Sequence, residues 1–521
     1  MAHVKLVALA AVLLLAQTRA PGQVMKVTPR QYHPMDLVLR SSVQHENPFF
    51  VNLSAEFSGP QGERLTVLGF YDGADTWRVR FAPPVPGEWT YRTRSDDPQL
   101  NGKTGRFTCL PNDDPNVHGR LRVDPEHPHH FVWEDGTRYF LLGFEADWIW
   151  AVDLGREDIS NLRRFIEAIA RHRFNHIIMN VYAHDCPWTK GKTSPWDYGP
   201  PAMFAWAGSN DNPNHSRLNV AFFRHYDRLM NCLFEKGIVA HIMLRVYNKM
   251  VRWPKNKSPE DWLYYRYVIA RYAAYPNVIW DFSKEAHSEK DAQYKLEVLR
   301  RIRQWDPYDN LITVHDDNAM YDSGRYNELL DFRSDQQHRK WAEIIRKQRA
   351  QRNWPVVNVE YGYERGVEDL PTYRVKQDWR EVLRRTWEIY LAGGYCNYYY
   401  SNTSWDLIKW EPEPPGWRRY AILYDFFQRT RYWEMEPADE LVSAGRCLAK
   451  PGEQYVVFLE QGRETTLRIA GAARPLSLVW LDPYTGREVA GAALGNGRHT
   501  LRIPAELSPP AVAALGVARE Q

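Results

Sequence analysis

From Arg138 to Tyr399 the chain repeats one pattern: a short apolar run, a turn, a stretch of helical periodicity, then another apolar run. That alternation leaves few folds open. Runs too apolar to be half-exposed belong to a parallel sheet covered on both faces, and the helical stretches supply the cover. The runs are 139–144, 176–182, 238–244, 277–282, 311–315, 330–332, 355–359 and 395–399. Between the first two, Ile159, Leu162, Phe165, Ile166 and Ile169 recur at the spacing of one helix face. Eight strand–helix units in roughly 290 residues match a (β/α)8 TIM barrel of about 250 residues or more. The pattern predicts an α/β fold with this barrel at 120–435, its sixth strand marked only by Leu330, Asp331 and Phe332.

Both flanks read as all-β. Residues 25–115 carry short alternating runs such as Leu65–Tyr71 and Thr76–Phe81, broken by Pro83-Pro84 and Pro86-Gly87, which predicts a β-sandwich. Residues 437–521 do the same, with Tyr455–Leu459, Thr466–Ile469 and Leu476–Trp480 as strands of a second, smaller sandwich. The first 20 residues carry Lys5, an apolar run from Leu6 to Ala16 and small residues to Ala20, the pattern of a signal peptide. Secretion or periplasmic export is the expected fate, with no membrane insertion of the mature chain. Charge is balanced, 67 basic against 64 acidic residues, so neither nucleic acid nor an anionic membrane is an expected partner. Five widely spaced cysteines support neither a zinc site nor a dense disulfide framework.

The chemistry concentrates at two strand ends. The fourth run closes on Asp281-Phe282-Ser283-Lys284-Glu285, and the seventh on Asn358-Val359-Glu360-Tyr361, which puts two glutamates 75 positions apart. The C-terminal ends of barrel strands converge on one mouth, where barrel enzymes keep their chemistry. Two carboxylates there are the equipment for glycosidic cleavage: one protonates the leaving oxygen and the other faces the anomeric carbon. The expected roles are Glu360 as nucleophile and Glu285 as acid/base with a raised pKa, with the Tyr361 hydroxyl orienting Glu360. Asp281 is the reserve acid, and Glu364 is a rival to Glu360 read as a surface pair with Arg365.

These residues resemble the apiosidase-like glycoside hydrolases and, more broadly, the retaining barrel hydrolases of clan A. In that clan the acid/base ends strand four and the nucleophile strand seven, the positions of Glu285 and Glu360. Clan members usually carry Asn before the acid/base, where this chain has Lys284. Trp305-Asp306-Pro307 leading into Leu311–His315 is similar to the family's passage into strand five. Gly87-Glu88-Trp89-Thr90-Tyr91 resembles the N-terminal sandwich of unknown function often fused to such barrels, and Trp480–Gly486 resembles a C-terminal module that carries a collagen-binding label. Nothing in that segment has collagen-like chemistry. The resemblance implies a retaining glycoside hydrolase acting on a plant, algal or microbial carbohydrate.

Other strand-end residues are expected to line the mouth and meet sugar hydroxyls: Asp147 and Trp148 after strand one, Asn180 and Tyr182 after strand two, Arg245 after strand three, His315 after strand five and Gln337 after strand six. Trp405, after strand eight, is the candidate stacking platform, since aromatic faces suit the apolar faces of sugar rings. No cofactor is expected. No metal is either, because neighbours in His315-Asp316-Asp317 or His184-Asp185 point to opposite faces. Two other readings compete. One is a noncatalytic carbohydrate-binding protein in which Lys284 holds the acid ionised. The other is a surface adhesin acting through 437–521.

Overall fold

The computed structural model describes residues 28–188 and 191–517; the signal-type segment at 1–20 lies outside them. At its centre is a parallel barrel of eight strands: β1 (Leu142–Glu145), β2 (His176–Asn180), β3 (Val239–Val246), β4 (Val278–Lys284), β5 (Ile312–Thr313), β6 (Arg333–Asp335), β7 (Val356–Asn358) and β8 (Tyr395–Tyr400). Each strand pairs in parallel with the next, and β8 pairs with β1. A single parallel bridge from His315 to Ser334 joins β5 to β6 and completes the ring. Eight helices alternate with the strands: α1 (Ser160–Arg171), α2 (Val220–Glu235), α3 (Pro259–Tyr272), α4 (Ala292–Trp305), α5 (Asn318–Asp322), α6 (Trp341–Gln351), α7 (Trp379–Leu391) and α8 (Trp417–Gln428).

Local chemistry sets many of these boundaries. Asn219, Ser258, Asp291 and Asp378 each accept a backbone N–H of the helix they precede, and Pro259 opens α3 where its missing N–H matters least. On α1 the buried residues include Leu162, Phe165, Ile166 and Ile169, the face read from periodicity.

Two strands differ from the sequence reading. The first begins at Leu142 because Arg138–Tyr139 pairs instead with Phe131–Trp133, in a small antiparallel sheet with Leu121–Val123. Phe131 of that sheet packs on Phe332 and Tyr395, so the sheet closes the N-terminal end of the barrel. The sixth strand is Arg333–Asp335 rather than 330–332. Its polar side chains are buried because they satisfy one another and α6: Arg333 donates to Asp335 (3.1 Å), and Gln348 donates to the same carboxylate (2.7 Å).

In the N-terminal module, Arg64–Tyr71 pairs through its first half with Leu53–Ser58 and through its second with Thr76–Phe81, passing from one sandwich layer to the other. Phe57 and Phe81 stack inside it at 3.8 Å, beside the buried Trp89. A buried charge cluster locks this module to the barrel: Arg80 donates to Asp36 and Asp227, and Arg271 of α3 to Asp72 and Asp227. Those guanidinium groups hold Asp227 down at about 2 against the opposing effect of burial. The C-terminal module has its own core, which includes Tyr455, Val457, Leu467, Trp480 and Leu501. All five cysteines are buried free thiols.

Candidate active site

The two glutamates stand at the C-terminal mouth, in unlike surroundings. β4 ends at Lys284, and Glu285 then takes a left-handed backbone (φ 55°) that few non-glycine residues adopt. Consecutive side chains therefore part company. Lys284 turns into the barrel, where its ammonium donates to Glu145 Oε1 (2.8 Å), Asp147 Oδ2 (3.1 Å) and the Tyr399 hydroxyl (2.8 Å). Tyr399 in turn donates to Glu360 Oε2 (3.0 Å), and Lys284 Nζ lies 3.7 Å from the same oxygen. The Tyr363 hydroxyl donates to Glu360 Oε1.

Electrostatics follow from that wiring. Burial works to raise the Glu360 carboxyl, but the Lys284 ammonium, His315 and the Tyr363 hydroxyl together hold it below the usual carboxylate range. Burial also works against the Lys284 ammonium, yet Asp147, Glu145 and Glu360 keep it charged. Burial drives the Glu145 carboxyl far above the ordinary range, while Lys284 holds Asp147 below it against the same effect.

Glu285 has neither Lys nor Arg within ion-pair distance among the described residues. Its Oε1 accepts from Asn248 Nδ2 (3.0 Å) and Gln336 Nε2 (3.4 Å), and its Oε2 lies 3.7 Å from His287 Nδ1. Asp316, just past β5 and also left-handed (φ 56°), lies 3.4 Å from the same nitrogen. Burial first, then the charges of Glu285 and Asp335, push the Asp316 carboxyl up to about 7. Donor atoms of Glu285, His287 and Asp316 all lie within 4.8 Å of one another. The imidazole does not suit a cation there. His287 Nδ1 is 3.0 Å from the Asp316 carbonyl, which only accepts, so that nitrogen carries a proton and not a lone pair.

The other residues expected at the mouth divide into two sets. Asp147, His315 and Trp405 join the glutamates. His315 is buried between them, its imidazole pushed down by burial and Lys284 and drawn back by Asp281, Glu360 and Glu285. Its Nε2 lies 3.4 Å from Gln336 Oε1. Trp405 (φ 57°) anchors an aromatic wall with Tyr363 (5.3 Å), Tyr373 (5.4 Å) and Trp188 (5.6 Å). Trp188 is 38% exposed, with Lys249 Nζ 4.5 Å above its ring, and so presents the wall's outer face.

The remaining expected contacts are spent elsewhere, which corrects the sequence reading. Tyr361 turns outward, its hydroxyl within reach of Thr386 (2.7 Å) and Tyr420 (3.3 Å) in the helix layer; Tyr363 and Tyr399 orient Glu360 instead. Arg245 pairs with Asp261 of α3 and donates to Asn256 (2.9 Å). Trp148 and Tyr182 are buried against Trp150, and Asn180 Oδ1 accepts from the Trp150 indole (3.0 Å). Gln337 exchanges backbone contacts with the Asn358 amide (3.2 and 3.1 Å), and its side chain bonds the buried Asp335 carboxyl of β6. Asp281 lies deeper in the barrel, bonded to His241 Nε2 (2.9 Å) and to the N–H groups of Ser283 and His315 (3.0 Å each). Glu364 is buried, accepting from Tyr398 (2.7 Å) and the Gly416 N–H (3.0 Å), not paired with Arg365; burial first pushes it up to about 7.

The sequence reading passed over Tyr399, Tyr363, Asn248, Lys249, Trp188 and Tyr373. For the first two a signal existed: Tyr399 lies at the C-terminal end of the eighth apolar run, and Tyr363 follows Glu360 by three positions in an aromatic, glycine-containing turn.

A family model described as the apiosidase-like catalytic domain matches residues 126–458, more than half of the chain. A second, described as a domain of unknown function (DUF5060), matches 28–96. No curated protein matches the chain. Among solved structures, a Bacteroides vulgatus ATCC 8482 protein assigned as a glycoside hydrolase aligns with TM-score 0.78 at 22% identity, covering 94% of this chain and all of that one. A glycoside hydrolase family 5 structure from the same strain aligns with TM-score 0.60 at 17% identity, covering 77% of this chain and 94% of that one. At those identities the likeness speaks for the fold.

Proposed function

Because the chain belongs to the apiosidase-like family of glycoside hydrolases, we propose that it is a secreted retaining enzyme that cleaves O-glycosidic bonds of a plant, algal or microbial poly- or oligosaccharide by double displacement. Glu360 attacks the anomeric carbon while Glu285 gives a proton to the leaving oxygen. Glu285 then takes a proton from the water that releases the sugar. The observation that carries this reading is the contrast between the two glutamates. Glu360 is kept ionised by Lys284, Tyr399 and Tyr363, as a nucleophile must be. Glu285 has no Lys or Arg within ion-pair distance among the described residues and lies beside a second carboxyl, Asp316, which is itself pushed up to about 7. Lys284 serves the nucleophile's half, so its presence before Glu285 does not mark lost chemistry. Trp405, expected as the stacking platform, is buried and braces Trp188 edge-on, so the exposed Trp188 ring is the apolar face of this cluster on which a pyranose or furanose ring can stack.

Hydrolysis of a panel of aryl glycosides and polysaccharides tests the reading. Release of a sugar supports it; saccharide binding with no turnover across the panel favours a noncatalytic carbohydrate-binding protein.

Lys284→Met should act on two observables. Asp147 and Glu360 would keep their burial and lose their counter-ion, at a cost of about 3–5 kcal/mol seen as a lower Tm. The acidic limb of the pH profile should move upward. Glu360 is held low by that ammonium, so without it the carboxylate is protonated, and the nucleophile lost, at a higher pH.

A further inference from the structure

We propose that Lys249 is a positioning residue for the acid: its ammonium orients the Asn248 amide, and that amide fixes which oxygen of Glu285 carries the proton given to the leaving group. This role rests on Glu285 being the acid/base. Lys249 lies just past the end of β3 at Val246 and is only 7% exposed. Its Nζ donates to Asn248 Oδ1 (2.8 Å), its one hydrogen-bond acceptor among the described residues, where no carboxylate lies within ion-pair distance of it. An ammonium has donors and no acceptor, so the amide must show it the carbonyl oxygen. The amide nitrogen is thereby turned the other way, and Asn248 Nδ2 donates to Glu285 Oε1 (3.0 Å). Gln336 Nε2 reaches the same oxygen (3.4 Å). Two N–H donors need an acceptor at Oε1, so the proton of the acid sits on Oε2.

The ammonium is itself held in place. It lies 4.5 Å from the centre of the Trp188 ring, a cation–π contact. The segment after β2 that carries Trp188 is fastened to the segment after β3 that carries Lys249: the His184 N–H donates to the Met250 carbonyl (3.1 Å) and the Met250 N–H to the Asp185 carbonyl (2.9 Å), an antiparallel bridge. Burying an ammonium is costly unless it is paired, and here an amide oxygen and an aromatic face stand where a carboxylate usually would. An amide in that place has a second end that donates, which a carboxylate lacks. One cation thus braces both the ring offered to the sugar and the amide that aims the acid.

Lys249→Met removes the donor and keeps an unbranched side chain against Trp188, since a thioether also packs on aromatic rings. On the plateau of the pH profile, its kcat/KM on a glycoside with a poor leaving group should fall about tenfold. On an activated aryl glycoside it should stay within about twofold, because such a leaving group needs little protonation. Asn248→Ala should show the same split. The double variant should be no worse than Asn248→Ala alone, because Lys249 acts through that amide. Equal loss on both leaving groups, or losses that multiply in the double variant, would overturn the proposal. Side-chain amide NMR of asparagine-labelled protein needs no turnover and separates this role from the enzymatic reading. The Asn248 signals, assigned by their absence from Asn248→Ala, should move on Glu285→Gln in the wild-type background, and by about half as much or less in Lys249→Met. An equal shift in both backgrounds would refute the orienting role even if no substrate is found.

Discussion

Glu360→Gln should lower kcat on every substrate by on the order of 10^4-fold, about 5.4 kcal/mol of barrier, with the fold and Tm little changed. Glutamine keeps the shape; its one carbonyl oxygen accepts from one of the two phenols, and its amide N–H turns to the hydroxyl oxygen of the other, so the pocket has little reason to collapse. What it loses is the anionic oxygen that bonds to the anomeric carbon. The neutral amide also leaves Lys284 its contacts with Glu145 and Asp147. Stopped assays with weakly and strongly activated leaving groups check the result. Loss should be deep for both, because either leaving group departs in the same displacement that bonds Glu360 to the anomeric carbon. Retention of more than about a tenth of wild-type activity would remove Glu360 from this role.

Glu285→Gln should behave differently, and the difference is diagnostic. General acid–base catalysis contributes about 10^2–10^4-fold, so a poor leaving group such as a sugar should lose that much. An activated aryl glycoside should retain its first step and accumulate the glycosyl-enzyme, because water then lacks its base. Added azide needs no base, and should restore turnover and yield a glycosyl azide. Equal loss for both leaving-group classes, with no azide rescue, would contradict the assignment.

The legible part of the site was its backbone placement. An apolar run that stops on a carboxylate marks a strand end, and the barrel brings such ends to one mouth, so Glu285 and Glu360 were found without any contact information. The direction each neighbour faces was not legible. Lys284 sits beside Glu285 in sequence, yet it serves Glu360 because the left-handed turn at Glu285 splits them. The phenol that orients Glu360 is Tyr363, not the adjacent Tyr361, which faces α7 and α8. β6 was misplaced for a related reason. Arg333 and Asp335 are buried by mutual pairing, and hydropathy alone does not register a polar strand whose groups satisfy one another. Asp316 was set aside as one member of a His-Asp-Asp run; in the fold, His315 turns inward, Asp317 caps α5 and Asp316 alone meets Glu285 and His287.

The most direct test of the central claim, a two-glutamate double displacement, is proton NMR of the first sugar released from a reactive glycoside, read before mutarotation. The account predicts the anomeric configuration of the substrate, since two inversions at one carbon restore it. A first product of opposite configuration would mean that water attacks directly, and Glu360 would then be a base and not a nucleophile.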